Sequence, residues 1–194
     1  MSEDPNPMVI KDYPDQYEVS TTTRAGLDIL IHPMKPDDAP RLKALFYSLS
    51  PKTVYFRFFT QLHDPSEEMF KKLAQVDHDL HVVLVASERN AEDQRILGVF
   101  RLMCDPGGKQ GELAVVVGDP WQGKGVGAKL IEYGFAIAKE RGIESVVGMA
   151  LPENTTILRL ARRLGFAVRW NADDHAYDLR MDLRTLDIEQ MKYH

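Results

Sequence analysis

Apolar residues recur along this chain in two rhythms, and each rhythm predicts a different kind of element. Residues 26–32, Gly26-Leu27-Asp28-Ile29-Leu30-Ile31-His32, read as a strand. A helical rhythm follows. Asp37-Asp38-Ala39-Pro40 places acids and a proline in a first turn, and Leu42, Leu45, Phe46 and Leu49 follow at helical spacing. Ser50-Pro51 opens a second helix carrying Val54, Tyr55, Phe56, Phe58 and Phe59. Asp64-Pro65-Ser66-Glu67 has the capping-box pattern for a third, with Met69, Phe70 and Leu73 on its apolar side. The period then shortens. Residues 81–87 and 96–103 read as strands joined by the polar link 88–95, and Asp105-Pro106-Gly107-Gly108 turns the chain into a strand over 112–117. That strand has no polar residue after Glu112, which predicts cover on both faces. A helix over 125–141 ends at Gly142, a strand occupies 145–150, and a helix rich in Ile157, Leu158, Leu160, Ala161 and Leu164 ends at Gly165. Strands over 167–171 and 176–183 finish the pattern. The order is β α α α β β β α β α β β, a mixed α/β chain without internal repeats. Residues 1–23, with prolines at 5, 7 and 14 and the Ser20-Thr21-Thr22-Thr23 run, lack apolar periodicity and predict a flexible arm. Residues 24–184 form one domain, and 185–194 a tail.

One stretch interrupts the pattern with chemistry. Val115-Val116-Val117 stops at Gly118-Asp119-Pro120, and the turn Trp121-Gln122-Gly123-Lys124-Gly125-Val126-Gly127-Ala128 runs into a helix. Three glycines at alternate positions leave backbone N–H groups unshielded and permit dihedrals that wrap an anion. The helix behind them adds free N–H groups and the positive end of its dipole. A phosphate cradle results. A Walker loop would need Ser or Thr directly after Gly123-Lys124, and Gly125 stands there. Gly123, Gly125 and Ala128 satisfy the dinucleotide fingerprint G-x-G-x-x-A, yet Gly118-Asp119-Pro120-Trp121-Gln122 separates the strand from the first of them, and repeated βαβ units are missing upstream.

Composition narrows the partners. The 194 residues carry a net charge of -5, which argues against general nucleic-acid binding because phosphate neutralisation needs an excess of Lys and Arg. The single cysteine, Cys104, rules out an intramolecular disulfide framework and suits a reducing compartment. No apolar run has the length of a membrane span, and the acidic, proline-bearing N-terminus is unlike a signal peptide, so the expectation is a soluble, cytoplasmic protein without membrane partners. His78 and His81 have H-x-x-H spacing, but no further ligand pattern accompanies them and no metal site is expected.

Gln122-x-x-Gly125-x-Gly127 resembles the coenzyme A loop of the GNAT N-acetyltransferase superfamily. Val115-x-Val117 before it, and Asn154 and Leu164-Gly165-Phe166 after it, sit at that family's spacings, and the element order is the one expected of the GNAT fold, a mostly antiparallel mixed sheet flanked by helices. Tyr13-Pro14, Leu49-Ser50-Pro51, Tyr55-Phe56-Arg57-Phe58-Phe59 and Gly111-Glu112-Leu113-Ala114 look like the acetyltransferase domain of bacterial protein-lysine acetyltransferases that act on acyl-CoA synthetases. The resemblance implies an enzyme using acetyl-CoA as co-substrate, without a metal, and a protein lysine as acceptor, an acyl-CoA synthetase among the candidates. A small-amine acetyltransferase and a non-catalytic acyl-CoA sensor are the alternatives. Oligomeric state is not written in the sequence.

Residue roles follow from the same resemblance. Glu112 matches the family's base glutamate, and burial would raise its pKa toward the working range. The other reading of Glu112 is a solvated carboxylate at a strand end. Backbone groups of Val115, Val116 and Val117 would pair with the pantetheine arm, one N–H polarising the thioester carbonyl. Gln122, Gly123, Lys124, Gly125, Val126, Gly127 and Ala128 would hold the pyrophosphate, with Lys124 either a charge contact or merely solvated. Asn154 matches a cofactor-binding position and equally suits a helix N-cap. Many GNAT enzymes carry a general-acid tyrosine where this chain has Ala161, so no general acid is assigned. Tyr55 or Arg57 is expected at the acceptor groove. Arg159, Arg162 and Arg163 form a solvated helix face or reach the adenosine 3′-phosphate.

Overall fold

The computed structural model describes residues 13–89 and 94–188. The element order is β1 (Val19–Thr22), β2 (Asp28–Pro33), α1 (Ala39–Ser48), α2 (Pro51–Phe58), α3 (Glu67–Ala74), β3 (Val82–Glu88), β4 (Ile96–Cys104), β5 (Gln110–Val117), α4 (Val126–Glu140), β6 (Ser145–Ala150), α5 (Thr155–Arg163), β7 (Ala167–Asn171) and β8 (Ala176–Asp182). The strands form one sheet in the order β1-β2-β3-β4-β5-β6-β8-β7. Every neighbouring pair is antiparallel except β5 and β6, whose parallel pairing needs the α4 crossover.

The two faces of this sheet have separate cores. On one, α4 and α5 cover Phe100, Leu102, Val146 and Leu179. On the other, α1 to α3 cover Val83, Val85, Ile96 and Val99. The helix α4 lies close because Gly134 faces Phe100: a Cβ there would stand 2.4 Å from the ring.

The pairing of β5 with β6 is short. It runs from Gln110↔Ser145 to Glu112↔Val147, whereas β5 pairs with β4 along its length, from Cys104↔Gly111 to Gly98↔Val117. Past Glu112 the two strands part. A wedge therefore opens in the sheet, with the backbone edge of residues 113–117 along one side. This also corrects the expected burial of β5. Leu113 to Val117 are half-buried, because the strand borders an opening and not a neighbouring strand.

The start of the chain differs from expectation too. Residues 19–22, read as part of an arm, form an edge strand paired with β2 from Val19↔Ile31 to Thr22↔Asp28. The sequence signal was weak because half of Val-Ser-Thr-Thr faces solvent. Prolines 5 and 7, the polar link at 90–93 and the tail from 189 lie outside the described residues. The third helix is capped by Ser66, whose Oγ accepts from the Met69 N–H at 3.3 Å, and not by Asp64. Asp64 is engaged elsewhere, accepting from the Tyr47 hydroxyl at 2.7 Å. Ser50, by contrast, caps α2 as expected, accepting from the Thr53 N–H at 3.2 Å.

Candidate functional site: a cleft at the strand fork

The glycine turn is built as its residue types require. Gly123 and Gly125 have φ of +72° and +90°, left-handed values that favour glycine. Gly125 is the N-cap of α4, and the first intrahelical bond of that helix runs from the Lys129 N–H to the Gly125 carbonyl at 3.0 Å. The N–H groups of Val126, Gly127 and Ala128 precede it and point out of the helix start. The Val126 side chain is fully buried in the core, so only its backbone belongs to the cradle. Gly127 lets the helix approach β5, since a Cβ there would lie 3.3 Å from a Val117 methyl.

This turn forms one wall of a cleft of ≈ 1020 Å³. Val115, Val116 and Val117 form its floor, and Gln122 to Gly125, Gly127 and Ala128 its phosphate-binding end. Asn154, Arg159 and Arg163 on or before α5 line it, as do Lys52, Phe56 and Arg57 on α2. The turn after β1 contributes Thr23, Arg24 and Ala25, with Thr23 in contact range of Gly125. The sequence assigned no function to that turn. Asp119 and Glu132 are the carboxylates of the lining, and both are engaged: Glu132 pairs with Lys129 at 3.0 Å. The overall charge of -5 is thus locally reversed, in a space where free helix N–H groups and Lys and Arg side chains converge. Such a lining fits a long ligand with several phosphates, as coenzyme A is.

Asp119 organises the approach to the glycines. Its carboxylate accepts from the Ser50 N–H at 3.0 Å, the Ser50 Oγ at 2.7 Å and the Thr53 Oγ1 at 2.9 Å. Burial alone pushes its pKa up, but the bonds from Ser50 and Thr53 outweigh it and hold the carboxyl below the usual range. Gln122 continues the link, its Nε2 donating to Thr53 Oγ1 at 3.2 Å and to the Val117 carbonyl at 3.0 Å. The start of α2 and the start of the glycine turn are therefore held together. Sequence reading missed this, because the partners lie far apart in the chain and nothing local marks Asp119 as more than a turn residue.

Asn154 combines both of its expected features. Its Oδ1 caps α5 by accepting from the Ile157 N–H at 3.3 Å, and the residue lines the cleft with its amide NH2 still a donor. Among the three arginines of α5, Arg159 and Arg163 face the cleft, while Arg162 lies over Tyr177 at 6.0 Å from the ring centroid. Ala161 is buried in the core beneath α5. Arg57 lines the cleft and Tyr55 does not.

Glu112 stands at the fork, on the last residue of β5 paired with β6. It is exposed and lies outside the cleft lining, so the expected burial is not found. Its charge still reaches the cleft, where it favours the protonated form of Arg57. The histidines of H-x-x-H are occupied structurally: His78 Nε2 bonds the Met34 carbonyl at 2.9 Å, and His81 Nδ1 the Cys104 N–H at 3.1 Å. No group of His, Cys, Asp and Glu able to hold a metal exists among the described residues. No helix among them is long and apolar enough to cross a membrane.

Comparison with known proteins agrees with this geometry. The family model for the acetyltransferase (GNAT) domain matches residues 28–167. The chain is 28% identical over 151 residues to the acetyltransferase PA5475 of Pseudomonas aeruginosa, covering 77% of this chain and 80% of that protein. It is 26% identical over 147 residues to the acetyltransferase Pat of Mycolicibacterium smegmatis, covering 76% of this chain and 44% of that longer protein. Among solved structures, the GNAT domain of S. lividans PAT superposes with a TM-score of 0.79 at 26% identity, over 88% of this chain and 99% of that domain. A cAMP-binding acyltransferase from Mycobacterium smegmatis shares the fold, with a TM-score of 0.61 at 20% identity over 92% of this chain and 55% of that one.

Proposed function

Because the chain belongs to the GNAT acetyltransferase family, an acyl-CoA-dependent group of enzymes, we propose that it moves the acetyl group of acetyl-CoA to a lysine side chain of a protein substrate, with Glu112 as general base. One observation carries the choice of acceptor: the superposition on the S. lividans PAT domain at 26% identity over 99% of that domain. An acyl-CoA synthetase is the first substrate to try.

The chemistry sets what the residues must do. A lysine amine with pKa near ~10.4 is neutral in only on the order of one molecule in a thousand at pH 7, so a base that takes its proton is useful. Glu112 stands where β5 leaves β6, so an amine arriving at the fork meets the carboxylate beside the floor of the cleft. Its exposure lets the proton pass on to water. The free edge of residues 113–117 offers backbone groups to a pantetheine arm as an added strand would, and one N–H there can polarise the thioester carbonyl. Gly123 to Ala128 hold the pyrophosphate through backbone N–H groups, with Asn154 donating from its amide. The leaving thiolate needs no dedicated acid, which fits a buried alanine at position 161.

The acceptor is tested directly. Purified protein, acetyl-CoA and an acyl-CoA synthetase or cell lysate should release free thiol in proportion to acetyl-lysine found by mass spectrometry. Tight acetyl-CoA binding with no thiol release from any protein would overturn the reading. Release with small amines alone would move the enzyme to the small-amine class.

A further inference from the structure

Arg57, in the last turn of α2, carries a charge for which the described residues supply no close partner. It lines the cleft and stacks near Phe58, 5.0 Å from the ring centroid. Among the described residues no carboxylate reaches ion-pair distance of its guanidinium. Burial pushes its pKa down, and the more distant Glu112 only partly offsets this. Arg101 adds to the imbalance. On β4 it pairs across from Ala114, one step along the same sheet face from Met103, which pairs across from Glu112. Among the described residues its guanidinium bonds neutral groups, the Leu73 carbonyl at 2.9 Å and the Met34 and Met103 sulfurs. Burial, with Arg57 adding to it, pushes Arg101 down to about 10.

Two lysines of the cleft are differently placed. Lys129 has Glu132 at 3.0 Å. Lys124 lies exposed in the glycine turn, 4.9 Å from the Trp121 ring centroid. Arg57 follows Thr53 by one helical turn, about 6 Å along α2, and its charged neighbours are Glu112 and Arg101; Glu112 itself lies about 17 Å up β5 from the turn, at ~3.4 Å per residue. Among the described residues the carboxylate that acts on Arg57 is Glu112 of the fork. Among the described residues, Arg57 and Arg101 against Glu112 leave the region of the fork with a positive excess. A partly desolvated guanidinium is costly alone and persists where an anion meets it in the working complex. Its planar fork suits a carboxylate.

We propose that Arg57 reads a carboxylate carried by the acceptor beside the amine to be acetylated, so that the preferred lysine has an Asp or Glu as its neighbour. This rests on acetyl transfer to a lysine, and it holds for a peptide or for a small amine that bears a carboxylate. The test compares matched acceptors that differ only in that group: Asp-Lys against Asn-Lys in one peptide frame, and Nα-acetyl-lysine against its methylamide. The wild type should favour the carboxylate partner by about tenfold or more in kcat/KM, the size of one charge-assisted hydrogen bond. Arg57→Gln should bring the ratio near one, and Arg57→Lys should keep part of it. The ratio is measured within each variant, so partial misfolding cancels. A wild-type ratio near one, or a ratio unchanged in Arg57→Gln, overturns the proposal. So does an equal fall in kcat for both partners at unchanged KM, which would place Arg57 on the transition state. Should only the small amines react, with the same Arg57-dependent preference, the protein-substrate reading fails and this one stands.

Discussion

Replacing Asp119 with alanine removes the acceptor of three hydrogen bonds, from the Ser50 N–H and Oγ and from Thr53 Oγ1. Bonds to a charged acceptor contribute ~1.5–3 kcal/mol each when well shielded, and the partial exposure of this site lowers that to about 1 kcal/mol each, so the loss should total ~2–4 kcal/mol. In a domain of this size that corresponds to a fall in Tm of about 6–12 °C. The pH dependence has a fixed sign. The folded pKa of Asp119 is lowered, so its contribution is complete above the unfolded aspartate value and is lost as pH falls through the folded one. The gap between wild type and Asp119→Ala, read from urea unfolding, should stay level from about pH 5 to 8 and close below about pH 4. The same change leaves the bond from Gln122 to Thr53 as the remaining side-chain tie, among the described residues, between the glycine turn and α2, so acetyl-CoA affinity measured by calorimetry should weaken as well. A stability gap below about 0.5 kcal/mol, within the range of ordinary surface substitutions, would refute the clamp. A gap that widens on acidification would refute its electrostatic basis.

Two further substitutions separate packing from binding. Gly134→Ala places a methyl against the Phe100 ring, where a Cβ would sit at 2.4 Å, and should cost ~1–3 kcal/mol in urea unfolding by overpacking; no loss would mean that α4 can shift on the sheet. Asn154→Ala removes the cap of α5, bonded to Ile157 at 3.3 Å, and should cost ~1 kcal/mol, with a rise in acetyl-CoA Kd if its amide also holds the ligand; a stability loss at unchanged Kd would assign it to capping alone.

The parts legible in the sequence are those where backbone geometry dictates residue type. Gly123 and Gly125 have positive φ, Gly142 and Gly165 end helices with φ of +75° and +90°, and Ser50-Pro51 begins one. Each is a local requirement written in one or two residues. What was lost depends on partners distant in the chain. A strand of the composition Val-Ser-Thr-Thr is indistinguishable from a polar arm until β2 is beside it, and its turn then supplies Arg24 to the cleft. The apolar run of β5 looked covered on both faces because pattern alone does not show that β6 diverges after Glu112. That divergence also explains why Glu112 is exposed where burial was expected: it stands at the mouth of the fork. The capping-box pattern pointed to Asp64, whereas Ser66 accepts from the Met69 N–H and Asp64 accepts from the Tyr47 hydroxyl, a partner distant in the chain. The Asp119 clamp and the uncompensated Arg57 emerge from tertiary contact alone.

The most direct test of the account is the rate of acetyl transfer by Glu112→Gln across pH, with acetyl-CoA affinity measured beside it. With Glu112 as base, kcat/KM at pH 7 should fall by about 10²- to 10⁴-fold while the acetyl-CoA Kd stays at the wild-type value. The deficit should shrink as pH rises toward the amine pKa of ~10.4, because the neutral amine then needs no base. A variant within a few-fold of wild type at pH 7, or a constant deficit at every pH, would contradict it.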